Sequence, residues 1–227
     1  MNILVVGGDA HLHECEQKFG SEHHYHRLNA SEVTAAQWPV TEVVFDFVSS
    51  TPSEVTRYRE FSGGLFVNVC QLSLAEFFLT DTHRPVGYVC GFNGMPTFLN
   101  RELLEISVLD QEQLPGVEKL CTSLHTAFRI VDDRVGLVSG RIVAMVINEA
   151  YYAAQEGIAS RDDIDKAMRL GTNYPWGPFE WAERIGLAYV YELIESLYRD
   201  THDERYKVCP LLKKEHLHRQ DINRRTT

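Results

Sequence analysis

The stretch from Asp162 to Gly186 reads DDIDKAMRLGTNYPWGPFEWAERIG, and it decides how the C-terminal part of the chain folds. Its first part carries apolar residues at helical spacing: Ile164, Ala167, Met168 and Leu170. This spacing predicts a helix, which Gly171 would end in a left-handed conformation. Two prolines and a glycine follow within a few residues and forbid a continuing helix. We therefore expect a rigid corner and a second helix from Glu180 to Ile185.

Further motifs lie on both sides of this stretch. They are Asn148-Glu149-Ala150, Gly157-Ile158-Ala159, Gly186-Leu187 and Cys209-Pro210-Leu211-Leu212. In this order the residues resemble the C-terminal domain of the 3-hydroxyacyl-CoA dehydrogenase family, whose pattern runs N-E-A, G, D-I-D, G-Y-P-x-G-P-F-E, G-L. The resemblance implies a helical domain that forms a homodimer, a 3-hydroxyacyl-CoA or 3-ketoacyl-CoA as the small-molecule partner, and NAD as the hydride acceptor.

Composition limits the kinds of partner. The 227 residues suffice for two modest domains with their own cores. A formal net charge of −10 argues against nucleic acid, whose phosphates are bound by clustered Lys and Arg. No apolar run approaches the roughly 18 residues of a membrane span. The five cysteines have no close pairing and no signal peptide precedes them, so we expect reduced thiols in the cytoplasm.

The N-terminal part alternates short apolar runs with helical segments. Strands are predicted at 2–6, 25–28, 43–48, 65–69, 86–90 and 103–108, and helices at 15–19, 72–79 and 116–128. This alternation is typical of a parallel α/β sheet. We therefore predict a shortened Rossmann-like domain over residues 1–134, a helical domain over 135–215 and a polar tail over 216–227.

A dinucleotide loop needs G-x-G-x-x-G, because the pyrophosphate lies against the backbone at the second glycine. The loop after the first strand has Gly7 at the first position, but Asp9 at the second and Leu12 at the third. An acidic residue that would hold the ribose is missing at the end of the second strand. An asparagine stands there, and an aspartate occupies the glutamate position of the strand that resembles the family's V-I-E-A-V. The candidate cofactor residues are Gly7, Gly8, Asn29 and Asp46.

The position of the general base has changed. In the family a histidine lies in G-L-H-F-F-N-P, and its glutamate partner follows twelve residues later in L-V-E-V. Here Asn93 lies in GFNGMP and Glu105 in LLEI, with the same spacing of twelve. An amide can form a hydrogen bond to a hydroxyl or a carbonyl, but it cannot take up a proton at physiological pH. Loss of a general base typically costs about 10² to 10⁴ in rate.

Two further catalytic positions differ from the resemblance. Cys70 stands where the family's N-T-S-S-L loop offers a serine, and Gly140 stands where its G-F-I-V-N-R segment offers an asparagine. Glu105 is the one retained residue; it is either a structural carboxylate or, if burial raises its pKa, a base. Cys70 is alternatively a thiol near the substrate.

Three functions stay open. One is NAD-dependent oxidation of a 3-hydroxyacyl-CoA to a 3-ketoacyl-CoA. The second is a catalytically degenerate homodimer that binds an acyl-CoA or a partner, and the third is a different reaction in the same cleft with Glu105 and Cys70. The N-terminal histidines His11, His13, His23, His24 and His26 have no cysteine at structural-site spacing. We therefore predict no metal site.

Overall fold

The computed structural model describes residues 1–78 and 84–226. The chain divides into two compact units, Met1–Val138 and Ser139–Thr227. The predicted fold class, a Rossmann-like α/β domain followed by a helical domain, is confirmed. The predicted boundary at 134 lies just before this division, and the predicted polar tail continues α8 (Pro210–Thr226).

Within the described residues, seven strands of the first unit form one sheet in the order β2-β1-β3-β4-β5-β6-β7. The strands are β1 (Asn2–Val6), β2 (His24–Leu28), β3 (Val43–Asp46), β4 (Gly64–Asn68), β5 (Tyr88–Phe92), β6 (Leu103–Val108) and β7 (Ala127–Ile130). The α-helices are α1 (Asp9–Phe19), α2 (Leu74–Phe77) and α3 (Leu114–Ser123). Because β1 lies between β2 and β3, the connections leave it in opposite directions. This arrangement makes a topological switch point at the carboxyl ends of β1 and β3.

The central strands are buried on both faces. Consecutive residues of a strand point to opposite sides of the sheet, so Ile3 and Val5 join one hydrophobic cluster and Leu4 and Val6 join the other. This explains the continuous apolar runs in the sequence, which are typical of parallel strands covered on both sides.

The sheet differs from the prediction near its far edge. The helix expected at 116–128 ends at Ser123, because His125 takes a positive φ of 53° and the chain then enters β7. The strand β6 pairs antiparallel with β5, so the sheet is mixed rather than fully parallel. The helix expected at 72–79 is α2, which ends at Phe77; residue 79 lies outside the described residues.

The second unit contains α4 (Ser139–Gln155), α5 (Arg161–Thr172), α6 (Pro178–Ile185), α7 (Leu187–Thr201) and α8. The prediction that Gly171 caps the first helix of the corner is wrong. That helix, α5, ends at Thr172, and Asn173 takes the left-handed conformation with φ of 56°. The next helix begins at Pro178, two residues before the prediction, since proline is well suited to a first helical turn.

The corner is fixed by one carboxylate. Asp165 on α5 accepts hydrogen bonds from the backbone N–H of Phe179 (2.8 Å) and of Glu180 (3.0 Å), and so caps α6. A Cβ added at Gly177 would lie 2.3 Å from Cβ of Asp165. The glycine in the motif therefore allows the close approach that this cap requires.

A second polar contact ties α4 to the start of α8. The buried side chain of Asn148 donates to the carbonyl of Lys207 (2.9 Å) and accepts from the N–H of Cys209 (2.8 Å). In the same way, Oε1 of Gln155 accepts from the N–H of Leu211 at 2.9 Å. In the described parts of the chain, no helix is both long and apolar enough to cross a membrane.

Candidate functional site

The candidate site lies at the carboxyl ends of β3, β4 and β5, where Asn68 joins the three strand ends. Its Oδ1 accepts from the N–H of Gly94 (3.0 Å) and of Cys70 (3.3 Å), and its Nδ2 donates to the carbonyl of Phe47 (3.2 Å). In open α/β sheets, ligands bind in the crevice outside these ends. Sequence reasoning missed this role of Asn68, because two of its three partners, Phe47 and Gly94, are distant in the chain.

Asn93 and Cys70 are brought together. The Oδ1 of Asn93 accepts from Sγ of Cys70 and from the N–H of Met95, both at 3.1 Å. Because rotating the amide would place its NH₂ against the Met95 N–H, these bonds fix its orientation. Asn93 is only 4% exposed, and its Nδ2 has no hydrogen-bond partner among the described residues. A buried donor without a partner costs free energy, so this amide is ready to bind an acceptor oxygen.

The Cys70 side chain is a poor nucleophile in this environment. Complete burial raises the pKa of its thiol to about 12, and the nearby backbone N–H groups of Met95 and Gly94 offset this only in part. At neutral pH the thiol therefore stays protonated, and its S–H donates a hydrogen bond to Oδ1 of Asn93. Thiol chemistry requires the thiolate, so the geometry favours a structural role for Cys70.

Glu105 lies next to Asn93 in the sheet. The antiparallel register pairs Phe92 with Ile106, and one further step places Asn93 opposite Glu105. The Glu105 carboxylate accepts from the N–H of Val138 at 3.2 Å. Burial lowers the pKa of Arg101, while the charge of Glu105 opposes that shift. Glu105 is thus an ionisable group that neighbours the amide, and its carboxylate also accepts from the backbone N–H of Val138.

Gly140 is buried in the first turn of α4 and belongs to the helical unit. It has no side chain that could bind a substrate. The three other candidate catalytic residues, Cys70, Asn93 and Glu105, all lie in the sheet unit.

The chain's own side chains occupy the loop after β1. The N–H of Gly8 donates to Nδ1 of His11 (3.1 Å), and Nη1 of Arg27 donates to the carbonyl of Gly7 (3.1 Å). Arg27 also pairs with the Asp9 carboxylate at 2.9 Å and donates to Oδ1 of Asn29 at 3.1 Å. The candidate cofactor residues Gly7, Gly8 and Asn29 therefore all bind groups of this chain.

His11 was not predicted as a site residue. Its ring stacks on Phe47 with centroids 4.4 Å apart and planes 7° from parallel. Burial lowers its pKa, which favours the neutral ring that accepts from Gly8. The signal in the sequence was a histidine three residues after Gly8, in the first turn of the helix. Among the described residues, no three His, Cys, Asp or Glu side chains gather as a metal site.

Asp46 is fully buried at the end of β3. Its carboxylate accepts from the N–H groups of Val48 and Ser49 (both 2.9 Å), from the Ser49 hydroxyl (2.5 Å) and from the Tyr58 hydroxyl (2.7 Å). These four donors come from the chain itself, so the carboxylate stabilises the turn after β3.

Comparison with known families agrees with the helical architecture. Residues 136–225 match the model of the 3-hydroxyacyl-CoA dehydrogenase C-terminal domain. The chain is 47% identical over 83 residues to the 3-hydroxyadipyl-CoA dehydrogenase of Escherichia coli K12, which covers 37% of this chain and 18% of that protein. It is 33% identical over 153 residues to the 3-hydroxybutyryl-CoA dehydrogenase of Clostridioides difficile, which covers 66% of this chain and 54% of that protein.

The similarity in fold extends further than the similarity in sequence. The solved (S)-3-hydroxybutyryl-CoA dehydrogenase of Ralstonia eutropha has a TM-score of 0.71 over 94% of this chain and 92% of its own, at 19% identity. The sequence matches span about half or less of the curated relatives' lengths. Residues 136–225 are therefore a domain of the 3-hydroxyacyl-CoA dehydrogenase C-terminal type.

Proposed function

We propose that this protein binds a 3-hydroxyacyl-CoA or 3-ketoacyl-CoA but has lost efficient NAD-dependent oxidation of the 3-hydroxyl group. The ligand class follows from the family. The loss of chemistry follows from one observation, which is that the amide of Asn93 occupies the position of the base and has its Oδ1 already engaged by Cys70 and Met95.

Oxidation of a hydroxyl to a ketone needs a group that accepts the hydroxyl proton as the hydride leaves. The Asn93 amide cannot accept it. Cys70 cannot accept it either, because its pKa of about 12 keeps the thiol protonated at neutral pH. What remains is the Nδ2 donor of Asn93, which suits an oxygen acceptor of the acyl group. The arrangement therefore supports binding of an acyl oxygen rather than proton transfer.

The second candidate is the activity that the resemblance implies, NAD-dependent oxidation of a 3-hydroxyacyl-CoA. The position of Glu105 favours it, since the register places this carboxylate opposite Asn93 and a carboxylate can serve as a base. The loop after β1 speaks against it. NAD would need its pyrophosphate close to Gly7 and Gly8, where Asp9 replaces the second glycine of the pattern and His11 accepts the Gly8 N–H.

Calorimetric titration with acetoacetyl-CoA and with 3-hydroxybutyryl-CoA, in the absence of nucleotide, tests the binding proposal. We expect saturable binding by the wild type. In Asn93→Asp, one carboxylate oxygen can still accept from Cys70 and Met95, and the other replaces the Nδ2 donor. Because it would then repel the ligand oxygen, we expect binding to weaken at least about tenfold, or about 1.4 kcal/mol. Asn100→Asp makes the same change in charge at an exposed position and is the matched control.

The absence of binding to both thioesters would contradict the ligand class, and equal binding by Asn93→Asp would contradict the role of the amide. Turnover is measured as oxidation of NADH in the presence of acetoacetyl-CoA. We expect none above background. A kcat in the usual enzyme range of about 1 to 10³ s⁻¹ would favour the second candidate.

We further propose that the helical unit forms a homodimer, as the resemblance implies. All of α5 lies within the described residues, and none of its residues is buried. Leu170 on this helix is 78% exposed, and Ile158 just before it is 71% exposed. Large exposed apolar side chains are candidates for an interaction site. A second copy of the helical unit would cover them.

A cytoplasmic location fits the thiols. The five cysteines are buried and unpaired: Cys15, Cys70, Cys90, Cys121 and Cys209. Unpaired buried thiols are the usual state in a reducing compartment. We therefore infer that the protein functions in the cytoplasm.

A further inference from the structure

The strongest unexplained feature of the sheet unit is the crevice at its topological switch point. In a sheet of this strand order, a nucleotide binds between the carboxyl ends of β1 and β3. Gly8 follows β1 and Phe47 follows β3, so these two residues mark the two sides of the crevice. His11 contacts both of them.

The contacts of His11 are those of a bound ligand. Its Nδ1 accepts the Gly8 N–H at 3.1 Å, as a phosphate oxygen would in a dinucleotide loop. Its ring lies flat on Phe47 at 4.4 Å, so it also covers the β3 side. A Cβ added at Gly7 would come within 2.4 Å of the same Nδ1, which shows how closely the imidazole lies against the glycine backbone.

Arg27, the cation beside the loop, also binds groups of the chain itself. Arg27 is held at once by the Gly7 carbonyl, the Asn29 side chain and the Asp9 carboxylate. The Asp9 carboxylate neutralises the guanidinium, so the pair offers no net positive charge to a pyrophosphate. The Gly8 N–H and the Arg27 guanidinium, which a dinucleotide could use, are therefore already engaged within the chain.

We propose that His11, supported by the Asp9–Arg27 pair, is an internal plug that occupies the dinucleotide crevice and prevents nucleotide binding. The plug concerns the nucleotide crevice alone and does not depend on whether an acyl-CoA binds. Removing the imidazole frees the Gly8 N–H. Replacing Asp9 by glycine restores the second glycine of the loop and leaves the Arg27 guanidinium without its counter-charge.

The test compares the wild type with the double variant Asp9→Gly/His11→Ala, using NADH as the probe in calorimetry and fluorescence. We expect no saturable binding by the wild type at about millimolar NADH. The variant should bind with a dissociation constant of about 0.1 mM or lower, which is at least about tenfold tighter. His13→Ala is the control, because this histidine is exposed and lies on the same helix. Thermal unfolding of each variant shows whether it is folded.

A second measurement needs no variant. Nitrogen-15 NMR of the wild-type histidines should show His11 as the tautomer with its proton on Nε2, because Nδ1 accepts from Gly8. The His11 signals should also be unchanged by millimolar NADH. Micromolar NADH binding by the wild type, a folded double variant that gains no binding, or a proton on Nδ1 would each overturn the plug. None of these results bears on acyl-CoA binding measured without nucleotide.

Discussion

The helical unit and the sheet unit relate to the same family in opposite ways. In the helical unit the motif residues Asp165, Gly177 and Asn148 all have structural tasks, since they cap a helix, allow a close approach and connect two helices. In the sheet unit, two of the three positions to which the resemblance assigns chemistry hold different residues, Asn93 and Cys70, and Glu105 is retained. The side chains of Asn93 and Cys70 are hydrogen-bonded to each other and buried.

The difference teaches that residues with structural and with chemical roles can separate within one chain. A cap or a buried connection stabilises the fold whatever the protein binds, so its loss lowers the free energy of unfolding. A general base adds nothing to the fold, so it can be replaced once the reaction is no longer needed. We therefore expect changes in the helical unit to affect stability and assembly, and changes at Glu105 to leave stability nearly unchanged.

The largest expected effect is on the stability of the helical unit. Asn148→Leu removes the partner of the buried Cys209 N–H and a hydrogen bond to the carbonyl of Lys207, an exposed residue. The unsatisfied N–H costs about 1 to 3 kcal/mol, so the free energy of unfolding in urea should fall by at least that amount. Glu149→Gln, at the exposed neighbouring position, should leave the curve unchanged. If the urea curve of Asn148→Leu equals that of the wild type, Asn148 does not stabilise the helical unit, and the proposed contrast between the two units is contradicted.

A smaller effect is expected on assembly. Leu170→Lys would place an unpaired charge in the proposed dimer contact, and sedimentation equilibrium should show the dimer weakened at least about tenfold. Asp162→Asn changes the net charge by the same amount at another exposed position of α5 and should have no effect. A wild type that sediments as a monomer at all accessible concentrations would contradict the homodimer.

The smallest effect is expected in the sheet unit. Glu105→Gln keeps an oxygen that can accept from the Val138 N–H, so its free energy of unfolding should stay within about 0.5 kcal/mol of the wild type. Urea denaturation monitored by circular dichroism checks this. A loss as large as that of Asn148→Leu would show that Glu105 is structural, and it would erase the contrast between the two units.

Much of the fold was predictable because its signals are local. The run Asn2–Val6 and the proline corner at Pro178 follow from the chain's apolar spacing and from backbone geometry, and both appear as expected. The predictions failed where contacts between distant segments determine the secondary structure. Residues 127 and 128 were predicted as the end of a helix but belong to β7, which pairs with β6, since a strand gains its hydrogen bonds only from a neighbour that is distant in the chain. Asn173 rather than Gly171 ends α5 for a more local reason, because asparagine also tolerates the left-handed conformation.

By itself, the sequence determined the resemblance of its C-terminal part to a family and the two-part architecture, and it predicted that Asn93 stands at the position of a base, because each depends on residue identity and spacing alone. Only the tertiary structure decided what the replaced residues do. It showed that Cys70 donates to Asn93, that the Asp46 carboxylate binds the chain's own donors, and that His11 reaches Phe47 across the switch point. These contacts join segments that are distant from one another in the chain. Their geometry exists only after the sheet has brought the strand ends together, so no pattern along the chain records it.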